Sequence, residues 1–287
     1  MSNNLKTVGL LALMTVLVFW IGYSLGGEGG LWIGIVLAVG LNFVAYFFSD
    51  KIALAASRAK PVDESQLPEV FSIVRNLTTH AGMPMPRMFV IESPQPNAFA
   101  TGRNPDHAAV AVTTGILQVM NREELTGVLA HELSHVQNRD ILISSVAAML
   151  AAALSIFGRM ALFMGGGRDE RGNPLAAIAA LLSIIIAPIA AMIIRMAISR
   201  AREYQADRSG AEITGQPLQL ASALAKLGAG TAQVPMQVNP AVSQLFIADP
   251  LKAFRRARGG GGMMSLFATH PPIEDRIERL RAMAAGA

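Results

Sequence analysis

Polar and apolar residues alternate along this chain on three length scales, and each predicts a different kind of element. The longest scale is four apolar stretches of about the 20 residues that a helix needs to cross a hydrocarbon core roughly 30 Å thick. Thr7–Leu25 and Leu31–Ser49 carry no charged side chain, Ile141–Met164 carries only Arg159, and Leu175–Ile194 is again free of charge. They predict two helical hairpins, the first closed by the turn Gly26–Gly30. No basic cluster precedes the first stretch and a second follows it directly, which points to a retained anchor rather than a cleaved leader.

The intermediate scale is helical. Between Asp63 and His80, apolar residues recur at Leu67, Val70, Phe71, Val74 and Leu77, the spacing of an amphipathic helix, and Gly82 is a suitable stop. Asn121, with Glu124 three residues on, forms a capping-box pattern for a helix from Arg122. That helix is free to run unbroken into the third apolar stretch. Beyond the fourth stretch, SRAREYQADRSGAEI continues helical and Gln216–Leu227 predicts another short helix. Pro271 and Pro272 open a last helix with Ile273, Ile277, Leu280 and Met283 on its apolar face. The shortest scale is strand-like: Met88–Ile91, Ala98–Thr101 and Ala109–Thr113, separated by the turn sequences SPQPN and GRNPD, predict a small, partly antiparallel sheet. Gly228–Gly262, ending in four glycines, reads as a mobile loop. The resulting organisation is an N-terminal membrane anchor (1–60), a polar domain begun at 61–140 and completed at 201–287, and a second apolar hairpin (141–200) inserted between its halves.

Composition sharpens this. Of the 287 residues, 52% are hydrophobic and only 15% charged, against about 25% charged in ordinary soluble domains. The formal charge of +4 could suggest a nucleic-acid partner. The basic residues, however, gather beside the apolar stretches: Lys51, Arg58 and Lys60 after the second, Arg139 before the third, and Arg195, Arg200, Arg202 and Arg208 after the fourth. They read as orientation signals, with both termini and the polar domain in the cytoplasm, and no nucleic acid is expected. The loop Gly165–Pro174 balances Arg168 and Arg171 against Asp169 and Glu170, so the second hairpin either crosses fully or stays partly buried in protein. The absence of cysteine excludes disulfides and leaves His, Asp and Glu as the only side chains able to hold a metal strongly.

The candidate chemistry lies in HELSH, 131–135. On a helix His131 and His135 sit one turn apart, about 40° in azimuth, so both rings can face one metal ion. Glu132, about 100° round, can reach a water bound to that ion. The alternative is two surface histidines on a helix. Glu203 in EYQAD is the candidate third ligand, and Asp207, four residues on, can accept a hydrogen bond from the free N–H of a ligand histidine. A solvated helix face paired with Arg202 and Arg208 is the alternative for both. A hairpin over 141–194 returns the chain to the membrane face that it left, which brings Glu203 back towards the histidines. Asp140 fits either of two roles, support of the site or a cap at the junction with the apolar stretch.

HELSHVQNRD (131–140), EYQAD (203–207), PNAFATGRNP (96–105), AVAVTTGIL (109–117) and THPPIEDRI (269–277) together resemble the HtpX group of membrane-bound zinc metallopeptidases, relatives of the CAAX prenyl proteases. The resemblance runs over nearly the whole chain. It implies a mainly α fold with a small β-sheet, about four transmembrane helices and a gluzincin-like zinc peptidase domain. It also implies one Zn²⁺ per chain on His131, His135 and Glu203, Glu132 as general base acting on zinc-bound water, and Asp207 as a support. Location in the cell inner membrane with the active site facing the cytoplasm follows from the same likeness. So does a role in the stress response, the hydrolysis of misfolded or damaged membrane proteins. Through THPPIEDRI, His270 is a candidate catalytic donor to the oxyanion and Arg276 a substrate contact; a helix-capping role for His270 and a salt bridge to Glu274 or Glu278 for Arg276 are the alternatives. PNAFATG resembles the family's edge strand, which nominates Asn97 and Phe99 as substrate-binding, against an ordinary turn role for Asn97. Two other functions remain open: a specific processing protease of the CAAX type, and a non-catalytic adaptor that uses zinc to clamp two helices. The intact Glu132 argues against the adaptor, since a purely structural site has no use for a base beside an open coordination position.

Overall fold

The computed structural model describes residues 3–147, 200–239, 242–257 and 271–286. Helix α1 (Asn3–Ala56) is not straight. Gly27 takes a left-handed backbone conformation, φ +55°, which only glycine adopts without penalty, and the chain reverses there. Asn42 Nδ2 then donates to Thr15 Oγ1 at 2.8 Å, joining residues 27 apart in sequence. The predicted hairpin turn is therefore present. Its arms are unequal: Gly27–Ala56 is the one described helix long and apolar enough to cross a membrane, and Thr7–Trp20 is a shorter apolar arm. Only 17% of the most apolar window in Gly27–Ala56 is buried, and Trp32 and Val36 are about 70% exposed, unlike the core helix of a soluble protein. Of the four expected spans, one candidate stands among the described residues. The predicted stretch 175–194 lies outside them, and so does 141–164 beyond its first seven residues.

The polar domain begins where α1 ends. Strands β1 (Lys60–Pro61), β2 (Arg87–Ile91), β3 (Ala98–Gly102) and β4 (Ala108–Thr113) form one sheet in the order β1-β2-β4-β3. The β2–β4 pairing is parallel and the other two are antiparallel, so the partly antiparallel prediction holds. Side chains alternate between faces along a strand, and both faces of this sheet are covered. Ala98, Ala100, Val110 and Val112 join a core with α2 (Pro68–His80) and α4 (Arg122–Gln137). Phe99, Ala109 and Ala111 face the other way, onto Ala53 and Leu54 of α1 and onto Val242, Leu245 and Phe246.

Helix α3 (Thr114–Val119) links the sheet to α4. The capping box of α4 forms as predicted: Asn121 Oδ1 accepts from Glu124 N–H and Glu124 Oε2 accepts from Asn121 N–H. Helix α5 (Arg200–Thr214) packs along α4, followed by α6 (Pro217–Gln233), α7 (Lys252–Ala257) and α8 (Ile273–Ala284). Leu280 of α8 enters the main core, with Ile273, Ile277 and Met283 against it.

Two expectations fail. Helix α4 does not run on into the third apolar stretch: it ends at Gln137, Arg139 is left-handed at φ +54°, and helix resumes at residue 141. The supposed loop at Gly228–Gly262 is also wrong in its described parts. Helix α6 continues to Gln233, and Val242, Phe246, Ile247 and Ala248 are almost wholly buried. The glycines in the sequence hid this, because burial here is against distant strands rather than along a local apolar face.

Candidate metal centre and its cleft

Helix α4 presents His131 and His135 on one face, their rings nearly perpendicular at 87° with centroids 4.8 Å apart. Their Nε2 atoms lie 3.2 Å from each other. Helix α5 supplies the carboxylate of Glu203, with oxygens 3.9 Å from His131 Nε2 and 3.6 Å from His135 Nε2. One ligand atom from each of the three residues lies within 4.8 Å of the other two. The approach of α5 to α4 depends on Gly210: a Cβ there would sit 2.9 Å from the backbone nitrogen of His131. Tetrahedral metal–ligand bonds of 2.0–2.1 Å place neighbouring donors about 3.3 Å apart. The separations of 3.2, 3.6 and 3.9 Å, and a donor set of two imidazoles and one carboxylate, fit a small divalent ion.

Each histidine is fixed by a carboxylate on its other nitrogen. Asp207 Oδ1 lies 2.9 Å from His131 Nδ1. Both oxygens of Asp140 lie 3.1 Å from His135 Nδ1. In each case Nδ1–H donates and the Nε2 lone pair is turned towards the metal position. The break after α4 is what allows the second pairing, because it turns the residue 140 carboxylate back over the last helical turn. Of the two roles open to Asp140, it takes support of the site.

Arg276 is completely buried. Its Nε and Nη2 donate to the two oxygens of Asp207 at 2.8 and 2.7 Å, Nη1 donates to the Ile247 carbonyl at 3.1 Å, and Nη2 lies 3.4 Å from both ring nitrogens of His131. The intrahelical pairing with Glu274 or Glu278 does not form. Nor is Arg276 placed to meet substrate; it neutralises Asp207 and holds the 247 backbone. Burial opposes ionisation of Asp207, but the Arg276 guanidinium and its hydrogen bonds outweigh it and bring the carboxyl down to about 2.

Glu132 is 2% exposed. Its Oε2 accepts from Ala100 N–H of β3 at 2.7 Å, while Oε1 is buried with no hydrogen-bond partner. Burial, with the charge of Glu203 adding, pushes its carboxyl up to about 8 against the pull of His135. Such a carboxylate is a far stronger base than an exposed one.

The structure turns the nominated substrate contacts, Asn97 just before β3 and Phe99 on it, towards neighbouring segments. Asn97 is fully buried, its Nδ2 donating to Ala248 O at 2.8 Å and its Oδ1 accepting from the N–H groups of Ala98 and Ala248. Strand alternation turns Phe99 to the face away from α4, where its ring packs on Phe246 with centroids 4.9 Å apart. Both hold the segment around 246–248 rather than a ligand. That segment also occupies part of the β3 edge, since Ile247 N–H donates to Ala98 O at 3.0 Å. His270 lies outside the described residues. Sequence reasoning missed Ala100, whose backbone orients Glu132, and Gln244, which lines the cleft with His131, Glu132, His135 and Glu203. No motif marks either one.

Comparison with known proteins agrees with this geometry. The model of the family described as Peptidase family M48 matches residues 64–284. Proteins named "Protease HtpX homolog" from Desulfatibacillum aliphaticivorans and from Burkholderia thailandensis are each 49% identical, over 100% and 99% of this chain and 93% and 98% of theirs. The crystal structure of S. mikatae Ste24p aligns over 96% of this chain with a TM-score of 0.51 at 18% identity, which shows a shared fold. The present chain spans 64% of that protein's length. With the HExxH helix, a third carboxylate facing both imidazoles and a family match over most of its length, the chain belongs to peptidase family M48, among the HtpX-type proteases, and is a metallopeptidase.

Proposed function

We propose that the chain is a zinc-dependent endopeptidase of the cell inner membrane that hydrolyses unfolded or damaged proteins on the cytoplasmic side. The observation that carries this reading is the convergence of His131, His135 and Glu203 ligand atoms within 4.8 Å, beside a Glu132 carboxylate with one oxygen unpaired. Zinc suits two imidazoles, one carboxylate and an open fourth position. Held there, it supplies the Lewis acidity that makes water nucleophilic near neutral pH and polarises a carbonyl.

The rest is done by the protein. Glu132 takes a proton from the attacking water as its oxygen adds to the peptide carbonyl carbon. The same carboxyl returns that proton to the amide nitrogen as the C–N bond breaks, so the amine leaves neutral. Ala100 N–H keeps one Glu132 oxygen fixed while the other has no hydrogen-bond partner. Asp207 and Asp140 hold the two rings in the tautomer that the metal requires. The exposed apolar face of α1 supports a place in the membrane, and its basic flank at Lys51, Arg58 and Lys60 supports a cytoplasmic site.

The test uses the purified full-length chain in detergent, with zinc content measured beside cleavage of casein. The native protein is expected to hold about one zinc per chain and to degrade casein. Glu132→Gln should keep the metal and lose activity by two to four orders of magnitude. Substantial activity in Glu132→Gln removes Glu132 as the base. Cleavage confined to prenylated C-termini points to a processing protease instead, and tight zinc without any cleavage to an adaptor.

A further inference from the structure

Gln244 sits in a short 3₁₀ turn (Ser243–Leu245) in the wall of the metal cleft and is 5% exposed. Neither its Nε2 nor its Oε1 has a hydrogen-bond partner. A buried primary amide normally satisfies both ends, and an unpaired one destabilises the fold that holds it. The backbone around it is not loose. Asn97 binds Ala248 on both its N–H and its carbonyl, Ile247 N–H donates to Ala98 O, Arg276 Nη1 donates to Ile247 O, and Gln95 Nε2 donates to Pro250 O at 3.0 Å. Phe246 is wedged against Phe99. The segment that carries the unsatisfied amide is thus pinned on several sides. Among the described residues lining the cleft, the only other buried side-chain atom without a partner is Glu132 Oε1.

A carboxamide with donor and acceptor both free is complementary to a peptide group, which offers one carbonyl and one N–H. Resting on the peptidase reading above, we propose that Gln244 is a catalytic residue that binds the scissile peptide group, its Nε2–H donating to the carbonyl oxygen. As water adds, the π electron pair of that carbonyl moves onto the oxygen, and the Nε2–H donor stabilises the charge. Arg276 is committed elsewhere, its Nε and Nη2 donating to Asp207 and its Nη1 to the Ile247 carbonyl. Asn97 is likewise saturated by its neighbours.

Two variants test this in the zinc-loaded full-length protein. Gln244→Met keeps the length and removes both polar ends, and Gln244→Glu keeps an acceptor and removes the donor. Both should hold one zinc and lower kcat on casein about a hundredfold, with KM changed less than threefold. Gln244→Met should melt at or above the native temperature, which a structural role for the amide does not allow. Affinity for a phosphinic peptide, a mimic of the tetrahedral oxyanion, should fall by a similar factor. A Gln244→Met protein with native kcat, or a metal-loaded Gln244→Glu protein with native kcat, overturns the assignment while leaving the peptidase reading intact. A native protein that neither cleaves casein nor binds the phosphinic peptide removes both.

Discussion

His131 and His135 stand one turn apart on the same helix, each with a carboxylate on Nδ1, yet their basicities move in opposite directions. Burial dominates at His131 and lowers it despite Asp207. At His135 burial also opposes the charge, but Asp140, Glu203 and Glu132 outweigh it and raise the ring to about 10. The difference lies in the balance of burial and charge around each ring. Asp207 is neutralised by a two-pronged Arg276, which adds its own positive charge beside His131. His135 instead has Glu203 and Glu132 beside Asp140, so a supporting carboxylate fixes a tautomer in either case while burial and the surrounding charges set the basicity.

Removing the cation is the most disruptive way to test this. Arg276→Leu leaves Asp207 buried with only the His131 N–H and no guanidinium, and should cost about 3–5 kcal/mol of stability, read as a lower midpoint in chemical denaturation. The sign with pH is also fixed. Asp207 is depressed from 3.8 to about 2, so its stabilisation is present above pH 3.8 and lost as pH falls through about 2. In Arg276→Leu that acid-side loss should disappear. If the variant is as stable as the native chain, Asp207 is not held as described.

Next in size, Asp207→Asn should weaken zinc by 10–100-fold, the usual range for a partner of a ligand histidine, measured by competition with a chelator. Asp140→Asn should lie at the lower end, about tenfold, since its loss also removes a proton that the metal must displace. That competition has its own signature. Below about pH 10 metal-free His135 carries a proton, so zinc affinity should rise with pH by about a decade per unit from this group. In Asp140→Asn the slope should flatten at a lower pH; an unchanged profile would separate Asp140 from the titration. The smallest effect is on the acid limb of activity. Glu132 must be ionised to accept a proton, and its carboxyl is raised from 4.5 to about 8 in the metal-free protein. With a cation beside it the limb should fall between those values, and a midpoint at or below 4.5 would mean that burial does not govern the base.

Much of the fold was legible from local pattern. The capping box at Asn121, the apolar faces of α2 and α8 and the turn at Gly26–Gly30 all follow from nearest-neighbour geometry. The break after Gln137 was not, because Asn138, Arg139 and Asp140 carry no glycine or proline to announce it. The left-handed Arg139 is tolerated where Asp140 gains His135 in exchange.

Asn97, Phe99 and Arg276 were nominated by motif as substrate contacts, yet all three are fully buried. A motif records that a position is chemically constrained; it does not say whether the constraint faces a ligand or a neighbouring segment.

Residue order alone settled which helix carries the two imidazoles and Glu132, because an i, i+4 spacing sets azimuth without any other part of the chain. It also settled that the metal is held by nitrogen and oxygen, there being no cysteine. Only the folded arrangement set which carboxylate serves which ring, where Arg276 meets Asp207 across 69 residues, and that Gln244 stands unpaired in the cleft. Those outcomes depend on how closely two helices can approach at Gly210, and on how an irregular segment is pinned against a strand edge. Both are matters of packing between distant parts of the chain, and no local periodicity encodes them.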